Sequence, residues 1–383
     1  MRAMLGLSVL LWSLLLDSSA EALDRIRVLV FQDVQSLQLT ADRGVVMGLP
    51  TGDERVLAAP VNVTRSEAGL RVNGEGVRVG TVTFRGRPAD LTLRDQTNAF
   101  LVGGLVRVVH DGKVLQVINE IDLEEYVKGV VPSEMSAGWH SEALKVQAVA
   151  TRTYAVHQRM MNEGRDYDLV ATTQDQVYRG RYGADQRVHQ AVEATRGLIL
   201  TYHNAPIFSA FSSTAAGPTE DAANVWAKDL PYLKGVDCPF DANSPHYQWQ
   251  TALKVADVEQ TLRGQGIAVG DITAASIFSR SRAGRVTRIR MLHSEGELII
   301  RGEELRRLVG YTVIPSTQFD LQLIGREMVL SGRGAGHAVG LCQWGAKELA
   351  ERGYSYRAIV HYYFPGTELK DAQSLALASP SVP

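Results

Sequence analysis

Residues 119–155, NEIDLEEYVKGVVPSEMSAGWHSEALKVQAVATRTYA, are where the chain changes texture. Asn119 to Ile121 end a series of β-branched runs, and LEEYVKGVV reads as a short helix. SEALKVQAVATRTYAVHQRMMNEG (141–164) then predicts the strongest helix of the chain, with Ser141 as N-cap and Gly164 just past the C-terminus. Leu144, Ala148 and Ala155 follow one face; Gln147, Thr151 and Tyr154 lie at i, i+4 and i+7 on another. Between the helices stands VVPSEMSAGW (130–139), whose one carboxylate is Glu134. A cap would explain a glutamate at a helix start, yet Gly138 and Trp139 intervene before Ser141. Pro132, Met135 and Trp139 put Glu134 in apolar company. Such surroundings raise a carboxyl pKa and keep the group protonated near neutral pH, as a general acid requires.

Upstream, residues 24–120 read as short strands separated by Gly, Asp and Asn turns: IRVLVF, VNVTRSE, LRVNG, VRVGTVTF, LTLRD, FLVGGLVRVVHDG and VLQVINEI. HDGK (110–113) is a hairpin turn signal. No catalytic cluster stands out there. Downstream, HQAVEATRGLIL runs from helix into strand, and residues 252–330 mix a helix (VADVEQTLRGQG) with strands (RVTRIRMLH, ELIIRG, MVLSG). WGAKELAERG and SYRAIVHYYF read as closing helices. The Ala/Ser/Pro-rich end after Lys370 reads as a frayed tail over 371–383. There is no internal repeat.

The chain has 383 residues, 45% hydrophobic and 21% charged, which suits a globular protein of one large or two ordinary domains. A formal net charge of −2 leaves no basic footprint for nucleic acid. Arg2, the uncharged run AMLGLSVLLWSLLL and the Ala20-x-Ala22 spacing form a signal-peptide layout over residues 1–22. The run would extend only about 21 Å as a helix, short for a bilayer. The expected mature protein lies outside the cytoplasm, in the periplasm or cell wall, and meets a membrane only if this segment stays uncleaved. Cys238 and Cys342 are the two cysteines; an exported chain can pair them or keep both as thiols.

Several motifs have both a functional and an ordinary reading. GRGAGHAVGLCQWG (332–345) carries glycines at 332, 334, 336, 340 and 345 between a strand and a helix. No Gly-Lys-Ser/Thr follows, so a phosphate loop is poorly supported. Alternate glycines let a backbone approach a ligand or another strand closely. With His337, Gln343 and Trp344 the loop suits a sugar better than a nucleotide; it equally fits a tight core crossover. AFSSTAAGPTE (210–220) is not G-x-S-x-G, so a hydrolase elbow is unsupported, while Ser213 and Thr214 offer hydrogen bonds to a polar ligand or simply form a turn. Cys238, Asp241 and His246 in GVDCPFDANSPHYQW supply three potential metal ligands where a structural zinc wants four. A Cys342 nucleophile with His337 lacks an orienting third group.

NEIDLEEYVKGVVPSEMSAGWHSEALKVQAVATRTYA, FSSTAAGPTEDAANVW (211–226) and GRGAGHAVGLCQWGAKELAERGYSYRAIVHYYFPGTEL (332–369) resemble the SpoIID/LytB family of bacterial cell-wall proteins, across about residues 24–370. The resemblance implies an α+β fold: an antiparallel β-rich N-terminal part (23–110), then a mixed α/β core of the SpoIID type with a central cleft (111–370). It implies peptidoglycan glycan strands as substrate and a lytic transglycosylase activity on strands stripped of stem peptides. The glutamate of the family's P-S-E-M motif falls on Glu134. By the same resemblance Gln147, Arg152, Tyr178, Ser213, Thr214, His337 and Gln343 line the cleft. No cofactor is implied. Relatives with a cysteine/histidine cluster suited to zinc carry histidine where Ser212 stands and cysteine where Ala215 and Asp241 stand, so no metal is expected. Ala338 replaces a usual glycine, and Cys342 stands where serine is frequent, a further argument against a cysteine nucleophile. Two other classes stay open: a LytB-type glycan-binding enhancer of a cell-wall amidase, and a structural wall-binding domain. The resemblance says nothing of a role in sporulation.

Overall fold

The computed structural model describes residues 25–66, 69–110, 112, 114–181 and 185–376; the expected signal segment and residues 377–383 lie outside it. The fold is α+β, with 25% helix, 38% strand and a β-rich N-terminal part. The described chain forms two compact units. The first runs to Phe208 and resumes at Leu369; the second is Ser209–Glu368. Residue 110, the expected end of the N-terminal part, is the last residue of one strand of a shared sheet. Strand Leu115–Asp122 pairs antiparallel with Leu105–His110, His110 opposite Leu115, and on its other side with Arg25–Val34. Strand pairing overrides the local shift from strand to helix propensity.

In the first unit a seven-stranded sheet runs in the order Leu169–Val170, Arg25–Val34, Leu115–Asp122, Leu105–His110, Thr81–Gly86, Val45–Gly48, Glu54–Leu57. Its one parallel pair joins Arg25–Val34 to Leu169–Val170. A six-stranded sheet is built from residues 36–102. Alternation decides which side chains go inward: Val61 and Val63, Leu91 and Leu93, Val82 and Phe84, Val106 and Val108 are all buried. Phe31 and Phe100, one from each sheet, meet edge to face with centroids 5.1 Å apart.

Three helices follow the strands. Helix α1 is Leu123–Glu134, α2 is Ser141–Met161 and α3 is Gln186–Glu193. Asp122 caps α1, accepting from the backbone N–H groups of Glu124 and Glu125 at 2.9 and 3.0 Å. The P-S-E stretch, expected as a connection, is the last turn of α1. Pro132 costs the helix only the donor for the Lys128 carbonyl, and Ser133 Oγ closes the same turn by donating to Gly129 O at 3.0 Å. The cap of α2 is His140, one residue before the expected Ser141: its Nδ1 accepts from Glu142 N at 3.3 Å. From Ala143 to Val156 every α2 residue except Lys145 is buried. The polar face expected from Gln147, Thr151 and Tyr154 is therefore internal.

The segment returning from the second unit is regular through residues 371–376 of the expected tail, whose remainder lies outside the described residues. Glu368–Asp371 completes a three-stranded sheet with Leu198–Tyr202 and Ala205–Pro206, and Ala372–Ala376 is helical. The backbone N–H of Ala372 donates to Gly197 O at 2.9 Å. Pairing with an edge strand orders a composition that alone suggests fraying.

The second unit holds two three-stranded antiparallel sheets. One orders Gln248–Lys254, Glu327–Arg333, Phe319–Ile324; the other orders Ile272–Arg280, Val286–His293, Gly296–Arg301. Helix α4 is Ala222–Trp226, α5 is Val255–Gly264, α6 is Gly302–Val309, α7 is Gln343–Glu351 and α8 is Tyr356–Tyr363. Val258 and Leu262 of α5 and Leu305 of α6 share one core with Ile289, Met291, Phe319, Met328 and Leu330. Among the described residues no helix is long and apolar enough to cross a membrane.

Candidate functional site

Glu134 is the last residue of α1 and is half-buried. No basic residue occupies that last turn, so the carboxylate stands at the negative end of the helix dipole. Its Oε1 accepts the backbone N–H of Val177 at 2.8 Å. Met135 beside it is buried and Trp139 half-buried. The carboxylate is thus oriented by the backbone N–H of Val177.

The loop that carries Val177 is built around Asp175. Asp175 Oδ1 accepts from Tyr154 Oη at 2.8 Å and Gln158 Nε2 at 3.0 Å; Oδ2 accepts from Val170 N at 2.8 Å. Gln176 is buried and its Oε1 accepts from Tyr126 Oη at 3.0 Å. Burial, with Asp175 and Glu134 among the nearby charges, holds the Tyr126 hydroxyl well above its ordinary pKa, so it stays a neutral donor. Burial and Asp175 likewise raise Tyr154. The stretch TTQDQVY (172–178) therefore does the positioning. The sequence reading drew only Tyr178 from it; its dense polar composition between two short elements was the available signal.

Three residues expected to line a substrate surface are internal. Arg152 is fully buried, and its Nε and Nη2 each donate to Glu124 at 2.7 Å, on Oε1 and Oε2. Its Nη1 adds a bond to Leu198 O at 3.0 Å. This fork ties α2 to the first turn of α1. Tyr178 is 1% exposed; its hydroxyl donates to the buried Asn119 Oδ1 at 3.0 Å and its ring lies 5.2 Å from that of Tyr126. Gln147 is buried, with Nε2 donating to Thr151 Oγ1 at 3.2 Å. Arg152 and Tyr178 hold the frame that carries Glu134. Nothing in the linear order marked Glu124 and Asn119 as their partners.

In the second unit the small-residue loop and the glycine loop clasp each other. Strands Phe211–Ser212 and Leu341–Cys342 run parallel. Thr214 and Ala335 exchange both backbone bonds, at 3.0 and 2.9 Å, and Trp344 N donates to Ser213 O at 3.1 Å. The glycines allow this closeness: a Cβ on Gly336 would sit 2.5 Å from Ser212 Cβ, and one on Gly334 2.7 Å from Thr214 O. Thr214 is buried and its Oγ1 lies 2.6 Å from Ser244 Oγ, while Ser213 is half-buried with its hydroxyl 3.2 Å from that of Thr214. Gln343 opens α7 and is buried. His337 Nδ1 accepts from Val339 N at 3.0 Å, which puts the ring proton on Nε2, and the imidazole also bonds the Phe211 backbone. The residue is half-buried, and loss of ring solvation, with the Arg306 and Arg285 charges, pushes its pKa down to about 3. His337 is thus neutral, and its ring lies 4.8 Å from that of Trp226.

Cys238 and Asp241 meet Cys342, whereas His246, the third residue of the expected ligand motif, is exposed. The three ligand atoms lie within 4.8 Å of one another, and both cysteines are free thiols. A structural zinc needs a fourth ligand, which this group does not supply. Asp241 Oδ2 accepts from Ala216 N at 2.7 Å and from Cys342 Sγ at 3.2 Å, while buried Oδ1 has no hydrogen-bond partner among the described residues. Arg285, fully buried nearby, donates to Ala215 O and contributes the local positive charge.

Comparison with known proteins agrees with this layout. The family described as Stage II sporulation protein matches residues 111–202, and a domain of unknown function (DUF8618) matches residues 221–340. Stage II sporulation protein D of Bacillus subtilis is 34% identical over 274 residues, covering 68% of this chain and 77% of that protein. An uncharacterised protein of Brachyspira hyodysenteriae is 32% identical over 312 residues, covering 81% and 82%. The amidase enhancer of Bacillus subtilis is 31% identical over 288 residues, which is 63% of this chain but 40% of that longer protein. The extent of the match to stage II sporulation protein D places the chain in the SpoIID/LytB family.

Proposed function

We propose that this chain is an exported, cell-wall-directed lytic transglycosylase that cleaves peptide-stripped peptidoglycan strands, with Glu134 as acid and then base. The observation that carries the reading is the setting of Glu134: partly exposed at a helix end and oriented by the Val177 N–H. The other carboxylates of α1 and the Asp175 of its supporting loop are engaged in pairs of their own. Glu124 is forked to Arg152, Glu125 pairs with Lys128 and Arg181, and Asp175 accepts three hydrogen bonds.

One carboxylate suffices for this chemistry. Protonated Glu134 donates to the glycosidic oxygen as C1 of the muramoyl residue becomes oxocarbenium-like. The resulting carboxylate takes the proton of that sugar's own 6-hydroxyl as its oxygen closes on C1. The product is a 1,6-anhydro-muramoyl end; no water is consumed, and the acid is regenerated. A hydrolase would need a second carboxylate to activate water or to form a covalent intermediate. Within the second unit, half-buried Ser213 and His337 offer neutral hydrogen-bonding groups to a polar ligand.

The test incubates residues 23–383 and the Glu134→Gln variant with peptide-free glycan and reads the products by mass spectrometry. Anhydro-muramoyl ends are expected from the wild type, with the variant slower by about a hundred- to ten-thousand-fold. Equal rates from the two proteins would refute the role of Glu134, and reducing ends carrying added water would indicate hydrolysis. The second reading, a non-catalytic amidase enhancer, is favoured by the likeness to the Bacillus subtilis amidase enhancer. Its signature is glycan binding without cleavage and a raised rate of a wall amidase added to the assay.

A further inference from the structure

The chain has two cysteines, distant in sequence, and the second unit buries both in one cluster. Cys238 lies in the loop before strand Gln248–Lys254, and Cys342 ends strand Leu341–Cys342 as the N-cap of α7. Each is 1% exposed. Cys238 Sγ lies 3.2 Å from Tyr363 Oη. Cys342 Sγ lies 3.2 Å from Asp241 Oδ2 and accepts from Ala215 N and Gly345 N, both at 3.4 Å. The space for this meeting is made by Gly345: a Cβ there would fall 2.7 Å from Cys238 Sγ and 2.1 Å from Tyr363 Oη. Nothing in the proposed glycan chemistry uses either sulfur.

We propose that Cys238 and Cys342 form a thiol pair that closes to an intrachain disulfide when the chain folds against a small-molecule disulfide oxidant. The geometry brings the two sulfurs within 4.8 Å of each other, against about 2.05 Å in a disulfide, so the bond closes by bringing the two side chains together. The exchange balances without any further reagent. The thiolate of one cysteine attacks the oxidant's S–S bond and releases one small thiol. The other cysteine, its proton passing to Asp241 Oδ2, attacks the resulting mixed disulfide and releases the second. The oxidant is reduced to two thiols and the protein loses two hydrogens. The Asp241 carboxylate is placed to take that proton, being in contact with Cys342 and keeping a second, unpartnered oxygen. Burial assigns the first attack to folding, before α7 and Tyr363 cover Cys238; the second, with its proton passing to Asp241, follows as the cluster packs. In the folded cluster the neighbouring sulfur excludes a bulky mixed disulfide and favours closure. Once formed, the bond joins the loop at 238 to the start of α7, two segments that flank the clasp carrying Ser213 and Gln343.

The test refolds the full chain from denaturant, once with a reduced/oxidised glutathione couple and once with reductant alone. Each sample is then alkylated under denaturing conditions, and intact masses and peptide maps are read. The expected result from the glutathione couple is a chain that takes up no alkyl group, with one linked peptide pair containing Cys238 and Cys342. Its melting midpoint should exceed that of the reduced chain by several degrees. Cys342→Ser should show one alkylated thiol and a midpoint indifferent to reductant. Two alkylated thiols after oxidative refolding, or glutathione on either cysteine in place of the cross-link, would overturn the proposal. A stoichiometric divalent metal retained by both thiols would overturn it as well, since a sulfur in a disulfide is no longer a thiolate ligand.

Discussion

Arg152 carries two donors to Glu124 in a site that excludes water. Removing either partner strands the other charge, so Arg152→Ala is expected to destabilise the protein by about 3–5 kcal/mol, measured by urea unfolding. Replacing both with apolar residues of similar size, Arg152→Met with Glu124→Leu, should recover most of that loss, because the cost lies in the unpaired charge. His337 gives a pH prediction. Its folded pKa, about 3, lies below the ordinary unfolded value near 6.5, so between those values the unfolded chain binds the extra proton. Stability from this residue is therefore complete above pH 6.5 and is lost as pH falls toward 3. Thermal midpoints measured from pH 7 to pH 4 should fall more steeply for the wild type than for His337→Gln. The sequence singled out both residues but not their duties. A glycine-flanked histidine reads the same whether it meets a sugar or the Phe211 and Val339 backbones.

Helix α1 depends on a glycine in an unusual sense. Gly129 faces the Tyr178 ring, and a Cβ there would lie 2.7 Å from Tyr178 Cε2 and 2.5 Å from Gly180 O. Helix propensity alone favours Gly→Ala by about 1 kcal/mol. Overpacking against a ring and a backbone carbonyl costs about 1–3 kcal/mol. Gly129→Ala is thus expected to lower stability. Because Tyr178 adjoins Val177, it should also lower the proposed glycan cleavage by more than the stability loss explains; urea unfolding and the product assay together check this. Helix α2 shows what periodicity leaves open. A helix buried on nearly all sides has no solvent face. Its polar residues are inside because Glu124, Asp175 and backbone carbonyls satisfy them. The helix itself was legible from its length and its alanine-rich run, whereas the partners come from other elements.

At the scale of the molecule, the chain leaves its first unit at Phe208 and returns at Leu369 to supply the strand beside Leu198–Tyr202. A fragment of residues 25–208 would expose that strand's unpaired edge, and exposed edges pair with other chains. It is expected to aggregate on concentration, whereas the same fragment with residues 367–376 joined by a flexible linker should stay monomeric by light scattering. The β-rich beginning and the α+β class were legible from alternation and turn residues. The division into units was not, because closure by residues 368–371 is a pairing between segments far apart in the chain.

Residue order alone determined the strands of the first hundred positions, the long α2 helix, the glycine loop and the family, since each rests on local periodicity or on an unbroken motif. Tertiary structure decided the rest. It made Pro132–Glu134 the end of a helix, turned Arg152 and Tyr178 inward, and kept Glu134 at the surface against Val177. It also set Cys238 beside Cys342. The physical reason is common to all four. Whether a polar side chain serves a ligand or the protein depends on which donors and acceptors burial brings to it, and those partners come from other parts of the chain.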